Sequence, residues 1–283
     1  MTVVTVNDLL NVSALPLKTL IDAYFDGTKY MHDFSRDRML PVLKTLLSPT
    51  PQEVAVRDTY YKMTLLLQTS LVMNTADHFQ SIAAVTRSLF ELWIDLKILA
   101  QDTTGEEVRK YNEFPEIERY RMAEQMIKFV ATHPQSLRMD ISKQRVFHAD
   151  PERAQRIAKV KVRRKDGRLP THWTEKDVRS RARSVSQEAM YVEAYPLLSW
   201  YVHAGAAGTA GIDRKALEGI VGFCHGRIHE MFVDATSTCA KATKIANLEY
   251  FDGWMRDIEQ KTGDLIVQEQ IRLLEAKRKQ PIP

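Results

Sequence analysis

Apolar residues recur at helical spacing along most of this chain, and the alternation of apolar and polar residues that is typical of strands is almost absent. The pattern predicts an all-α protein: a multi-helix bundle with a long central helix pair and a basic loop or hairpin. Of the 283 residues, 44% are hydrophobic and 27% are charged, which excludes disordered and fibrous classes. No linker marks a boundary, so we predict a single helical domain over residues 1–283, with residues 1–50 as a candidate N-terminal helical subdomain.

Prolines, glycines and capping residues divide the helical pattern into segments. Thr50 or Pro51 is predicted to open the second segment, and Thr174 is a candidate N-cap. We expect a turn or exposed loop at residues 163–170 and a glycine-rich break at residues 205–211. The predicted helical segments are 7–47 with a break near Asp26 and Gly27, 50–99 as one extended or two stacked helices, 115–132, 151–162, 174–203, 213–245 and 249–277.

One charge lies within an apolar stripe of the segment 81–99. On a helical wheel this segment has two nearly opposite apolar stripes, which predicts a central helix, and Arg87 falls inside the stripe formed by Ala83, Phe90, Ile94 and Ile98. A guanidinium on an apolar face needs a partner or a ligand. Glu91 follows four residues later on the same face, so we predict an Arg87–Glu91 pair. The pair is either a structural buried ion pair or part of a functional site.

A second polar row lies on the segment that ends near residue 203. Tyr195, Ser199 and His203 are spaced four residues apart, so two hydroxyls and an imidazole share one helix face. A histidine at a helix C-terminus is favoured in its charged form, and His203 is therefore a candidate partner for Glu91. The alternative is a core histidine that bonds Ser199 or a backbone carbonyl.

These pieces resemble a widespread bacterial helical family of unknown function. The resemblance rests on Arg87-Ser88-Leu89-Phe90-Glu91-Leu92, on His172-Trp173 and on the Tyr-x-x-x-Ser-x-x-x-His helix from Tyr195 to His203, and it covers about residues 60–211. It implies that the signature residues form a shared site, without an established activity. The arrangement is more loosely similar to the helical bundles called HEPN domains, whose toxin members carry an Arg followed by four to six residues and a His. This chain lacks that motif, so no HEPN active site can be carried over.

Lysine and arginine concentrate between Arg153 and Arg183. This segment has twelve basic residues against three acids, a net charge of +9, whereas the whole chain carries +4 and the remainder therefore −5. Such a strip is typical of a surface that binds phosphates, and Trp173 with His172 could stack on a base. The alternative is a solvated helical hairpin whose charges pair with acidic neighbours. The candidate phosphate-binding residues are Arg163, Arg164, Lys165, Arg168, Trp173, Arg179 and Arg183.

Nothing in the sequence calls for a cofactor or a metal. His225 and His229 are four residues apart, a spacing that can chelate one metal ion, and Glu230 and Cys224 could add ligands, but the pattern is not a His-Glu-x-x-His motif. We therefore predict no metal, with one core-facing and one partly exposed histidine. Cys224 and Cys239 are too few for a disulfide framework and are expected to be small core residues in a reducing compartment.

We expect a cytoplasmic protein that does not enter a membrane. Residues 1–8 lack the basic and apolar segments of a signal peptide. The uncharged run at 194–212 contains Pro196 and several glycines, which makes it a poor membrane span.

Two hypotheses of function follow from the polar residues. In the first, a buried cluster of Arg87, Glu91, Ser199 and His203 locks the bundle or binds a small anionic or nucleotide ligand, with Tyr195 on the same face. In the second, the protein is a metal-independent ribonuclease-like or phosphotransfer enzyme that grips nucleic acid through residues 153–183. His203 would then act as general acid or base, Arg87 would stabilise charge on phosphate, and Glu91 would complete the catalytic set. Nucleic acid, a nucleotide and a second copy of the chain are the candidate partners.

Overall fold

The computed structural model describes residues 17–133, 141–162, 168–202, 213–247, 252–254, 256–257 and 260. These residues are helical wherever they form regular structure, which confirms the all-α prediction. They divide into two compact units. Unit 1 comprises Met1–Gln101 with Val178–Pro283, and unit 2 is the intervening Asp102–Asp177.

Two long helices organise unit 1. The helices are α1 (Leu17–Phe34), α2 (Leu40–Lys44), α3 (Pro51–Ser70), α4 (Phe79–Gln101), α8 (Val178–Ser184), α9 (Glu188–Val202) and α10 (Arg214–Ala242). One π-helical turn (Ser35–Met39) joins α1 to α2, and short 3₁₀ turns lie at Ala76–His78 and Ile245–Asn247. Helix α4 packs against α3, α8, α9 and α10, and α10 also packs against α1 and α3. The prediction of a bundle with a long central helix pair is confirmed.

Unit 2 is built from three helices and the segment that follows them. The helices are α5 (Glu106–Thr132), α6 (Ser142–Ala149) and α7 (Pro151–Val162). Its apolar cluster joins Ile117 and Tyr120 of α5 to Ile157 of α7 and to Leu169. The bounds of α7 are those predicted from the sequence.

Several helix ends follow from local capping chemistry. The Thr50 hydroxyl accepts from the Glu53 backbone N–H, and the Glu53 carboxylate accepts from the Thr50 N–H, which forms a capping box at the start of α3. The Asp213 carboxylate caps α10 by accepting from the Ala216 N–H at 2.7 Å. The predicted start near Thr50 and Pro51 is therefore confirmed, and the segment 50–99 proves to be two helices.

Three predicted boundaries are wrong. Helix α1 continues through Gly27, because this glycine is needed for packing and not for a turn: a Cβ there would lie 3.2 Å from His229 Cδ2. Helix α5 begins at Glu106 and contains Pro115, because the Asp102 carboxylate accepts from backbone N–H groups at the start of this helix and fixes an earlier N-terminus. Thr174 does not cap α8, which begins at Val178.

Three predicted segments lie largely or wholly outside the described residues. They are the loop at 163–170, the break at 205–211 and the helix at 249–277. Cys224 and Cys239 are buried, as predicted. Among the helices that the structure describes, none combines the length and the apolar character needed to cross a membrane.

Candidate functional site

Three charged residues lie on one stripe of α4, each four residues after the one before. Arg87, Glu91 and Asp95 share this stripe because residues four apart lie on the same face of a helix. The partners that meet them come from the two neighbouring helices, Arg181 from α8 and Tyr195 from α9. We call these five residues the polar network.

The outer end of the polar network joins Arg87, Glu91 and Tyr195. Arg87 Nε donates to the Tyr195 hydroxyl at 3.0 Å, and this hydroxyl donates to Glu91 Oε1 at 2.7 Å. Arg87 Nε lies farther from Glu91 Oε1, at 3.4 Å, so the predicted pair is present but loose. The Arg87 and Glu91 side chains are 27% and 31% exposed, so this end is partly open to solvent and not buried as expected.

The inner end is a buried ion pair. Arg181 Nη1 lies 2.6 Å from Asp95 Oδ1, and Arg181 Nη2 lies 3.5 Å from Glu91 Oε2. Arg181 is only 1% exposed and Asp95 only 6%. The polar network therefore runs from solvent into the core of unit 1, with two guanidiniums balanced by two carboxylates.

Neither Asp95 nor Arg181 was singled out from the sequence. Asp95 stands four residues after Glu91 in the apolar run Trp93-Ile94-Asp95-Leu96, so the argument applied to Arg87 would have found it. Arg181 gave no such signal, because it lies among closely spaced arginines that look like one solvated surface.

Several N–H groups of the two arginines are left over. Neither terminal nitrogen of Arg87 makes a hydrogen bond to any residue that the structure describes, and its guanidinium lies 5.1 Å from the centroid of the Tyr195 ring. Arg181 Nε is buried without a hydrogen-bond partner in the described chain.

Burial, together with the hydrogen bond to Glu91, raises the pKa of Tyr195 to about 12, so the hydroxyl stays protonated at neutral pH.

The remaining predicted site residues of α9 are not in the polar network. Ser199 is half-buried, and its hydroxyl makes no hydrogen bond to the other residues described. His203 lies outside the described residues. Of the residues predicted for this site, the structure thus brings together Arg87, Glu91 and Tyr195.

The candidate phosphate-binding residues are divided between the two units. In unit 1, Arg179 and Arg183 both bind the partly exposed carboxylate of Glu188, and hydrogen bonds first from Arg183 and then from Arg179 lower its pKa to about 2. In unit 2, Arg168 is exposed. Trp173, also in unit 2, is only 4% exposed and packs edge-on against Tyr111 with ring centroids 5.4 Å apart, so its indole is a core group and not an open stacking face. Arg163, Arg164 and Lys165 lie outside the described residues.

The histidine pair of α10 faces the interior. His225 is fully buried, its Nε2 donates to the Met73 carbonyl at 3.1 Å, and burial lowers its pKa to about 4. His229 is half-buried, and burial also lowers its pKa. Within the described ranges no three His, Cys, Asp or Glu side chains gather into a set that would hold a metal ion.

Comparisons with known proteins place the chain in a family. No curated protein and no solved structure matches it. A family of unknown function (DUF5677) matches residues 53–214, more than half of the chain. This range includes all five residues of the polar network, and it overlaps the range on which the sequence resemblance to a helical family of unknown function rests. The chain belongs to this family of unknown function.

Proposed function

We propose that unit 1 binds a small anionic ligand, one with a phosphate or carboxylate group such as a nucleotide, at Arg87. The observation that carries this proposal is the way in which Arg87 is held. Its Nε is engaged by Tyr195, whereas its terminal nitrogens make no hydrogen bond in the part of the chain described and the side chain is partly exposed. A planar guanidinium fixed in this way presents parallel N–H groups to two oxygens of one anion.

The buried end of the polar network has a different role. Arg181 and Asp95 are both buried and join α8 to α4, so this pair locks the helices together. From the sequence, a lock and a ligand site are alternatives for one cluster. In this proposal both are present, at opposite ends of the polar network.

The groups at the outer end favour binding over catalysis. Both carboxylate oxygens of Glu91 already accept hydrogen bonds inside the protein, Oε1 from Tyr195 and Oε2 from Arg181. Tyr195, with its pKa raised to about 12, is a neutral phenol at physiological pH. Both groups are held by hydrogen bonds within the polar network.

The alternative of an enzyme acting on nucleic acid depends on His203 and on the basic segment 153–183. The pairing of Arg179 and Arg183 with Glu188 and the burial of Trp173 reduce its support. This alternative is tested by incubating the wild-type protein and the His203→Ala variant with mixed RNA and single-stranded DNA, with and without chelator, and comparing cleavage. We expect no cleavage by either protein. Cleavage by the wild-type protein that is absent in His203→Ala would support the enzyme hypothesis instead of the binding proposal.

Ligand binding is tested with two probes of similar shape, phenyl phosphate and benzoate, by calorimetry and by the thermal shift that a ligand of the native state causes. We expect at least one probe to bind the full-length protein and Arg87→Ala to abolish that binding. Arg57→Ala is the matched control, because Arg57 is 32% exposed and pairs with neighbouring Asp58. Equal binding by the wild-type protein and Arg87→Ala, or no binding of either probe, would refute the proposal.

A further inference from the structure

We infer that Tyr195 is a positioning residue: its hydroxyl lies between Arg87 and Glu91 and keeps the terminal nitrogens of Arg87 available for a ligand that presents two oxygens side by side. This inference rests on the proposed function and adds to it a residue that controls affinity without contacting the ligand.

The distances show that the hydroxyl separates the two charges. It accepts from Arg87 Nε at 3.0 Å and donates to Glu91 Oε1 at 2.7 Å, whereas the direct separation of Nε and Oε1 is 3.4 Å. Each charged group is thus closer to the hydroxyl than to the other charged group. Glu91 Oε1 accepts its shortest hydrogen bond from a neutral phenol and not from the guanidinium.

Without this hydroxyl, Arg87 has a competing partner on its own helix. Residues four apart on a helix are within reach of each other, and Glu91 Oε1, which loses its donor with the Tyr195 hydroxyl, can then accept from the Arg87 guanidinium. Glu91 would then occupy the terminal nitrogens of Arg87 in the way that a ligand does. An incoming anion would first have to displace Glu91, so its affinity would fall.

The position of Tyr195 is itself fixed by packing. Its ring stacks on Tyr191 with centroids 5.1 Å apart and packs at a tilt against Phe90 at 5.5 Å. Phenylalanine preserves these ring contacts and removes only the hydroxyl. The loss of the hydroxyl can therefore be measured apart from the loss of the ring.

The test is a double-mutant cycle on ligand affinity, using phenyl phosphate and benzoate with the full-length protein. Tyr195→Phe is expected to weaken binding about tenfold, the effect of one charge-assisted hydrogen bond that the ligand has to displace. Glu91→Gln removes the competing carboxylate, so Tyr195→Phe combined with Glu91→Gln is expected to bind as well as Glu91→Gln alone. Recovery of affinity by a second substitution is not expected of a residue that acts only through folding.

Tyr191→Phe is the matched control. It removes the hydroxyl of the ring that stacks on Tyr195, and this hydroxyl makes no hydrogen bond in the described chain. It should leave affinity unchanged. If Tyr195→Phe weakens binding by the same factor in the wild-type protein and in the Glu91→Gln variant, the inference is overturned and the role of Tyr195 is structural. If Tyr195→Phe binds like the wild-type protein while Arg87→Ala does not bind, the inference fails and the proposed function stands. If neither the wild-type protein nor any variant binds a probe, the inference and the proposed function both fail.

Discussion

Asp95 and Arg181 are separated by 86 positions in the chain, yet Asp95 Oδ1 and Arg181 Nη1 lie 2.6 Å apart in the core of unit 1. The pair is the buried counterpart of the partly exposed Arg87–Glu91 pair, whose residues lie about two turns and one turn before Asp95 on α4. Burial makes the two pairs energetically unequal, because water screens and solvates one of them and not the other.

Loss of the buried arginine should destabilise the protein far more than loss of the outer one. Arg181→Met removes the guanidinium that binds Asp95 in the core, which is expected to lower the free energy of unfolding by about 3–5 kcal/mol. Arg87→Ala removes a partly solvated pair and is expected to cost at most about 1 kcal/mol. Urea unfolding of both variants measures the difference.

A compensating variant separates charge from shape at the buried pair. Arg181→Met combined with Asp95→Leu removes both charges and is expected to recover most of the stability that Arg181→Met loses. Equal loss in Arg181→Met and Arg87→Ala, or no recovery in the double variant, would contradict the assignment of Arg181 as the lock.

The buried imidazole of His225 predicts a loss of stability on acidification. Burial lowers its pKa from the ordinary value of 6.5 to about 4, so between these values the unfolded chain binds a proton that the folded chain does not. Above pH 6.5 the residue has no effect, and as pH falls towards 4 it lowers the free energy of unfolding by roughly 3 kcal/mol in total. Urea unfolding at several pH values between about 7 and 4 measures this slope.

His225→Gln is the control for this pH dependence. Glutamine keeps an N–H donor for the Met73 carbonyl but does not titrate, so the variant should show a flatter slope. Part of the slope should persist, because burial also lowers the pKa of His229. An identical slope in the wild-type protein and His225→Gln would show that His225 is not the residue responsible.

The close approach of α1 to α10 predicts that two helical glycines respond differently to alanine. At Gly27 an added Cβ would lie 3.2 Å from His229 Cδ2, whereas at Gly226 the nearest atom, in the Tyr24 ring, is 3.4 Å away. Both substitutions gain the same helix propensity. We expect Gly27→Ala to be less stable than Gly226→Ala by about 1 kcal/mol, the cost of overpacking. Thermal melts of the two variants compare them directly, and the reverse order would be inconsistent with this packing.

The capping box of α3 predicts that the same substitution has different effects at two threonines of one segment. Thr50→Ala removes the acceptor for the Glu53 N–H and should cost about 1 kcal/mol. Thr69→Ala, near the other end of α3, removes an exposed hydroxyl that bonds only the Leu65 carbonyl, and its effect should be within about 0.5 kcal/mol of zero. Chemical denaturation of both variants checks this, and equal losses would argue against the capping role.

Local chemistry explains which features were predictable from the sequence. The start of α3 near Thr50 and Pro51, the bounds of α7 and the Arg87–Glu91 pair depend on residues close together in the chain, so spacing alone predicts them. The position of Tyr195 on a polar helix face was also predictable, although its contact with Arg87 was not.

Contacts between distant segments explain what sequence reasoning missed. Gly27 looked like a helix break because its role depends on His229, which lies in another helix. Arg181 looked like surface because no local pattern distinguishes an arginine that turns inward from the exposed arginines beside it. In both cases tertiary packing determines what the residue does.

The long separation of Asp95 and Arg181 also has a consequence for the order of folding. All of unit 2 lies in the chain between them, so the pair can form only after a large loop has closed. Closure costs chain entropy that grows with the number of flexible residues, by about 0.6 kcal/mol for each doubling of loop length. If residues 102–177 fold first, fewer flexible residues remain between α4 and α8. Early folding of unit 2 would therefore speed the assembly of unit 1 without any change in the final contacts.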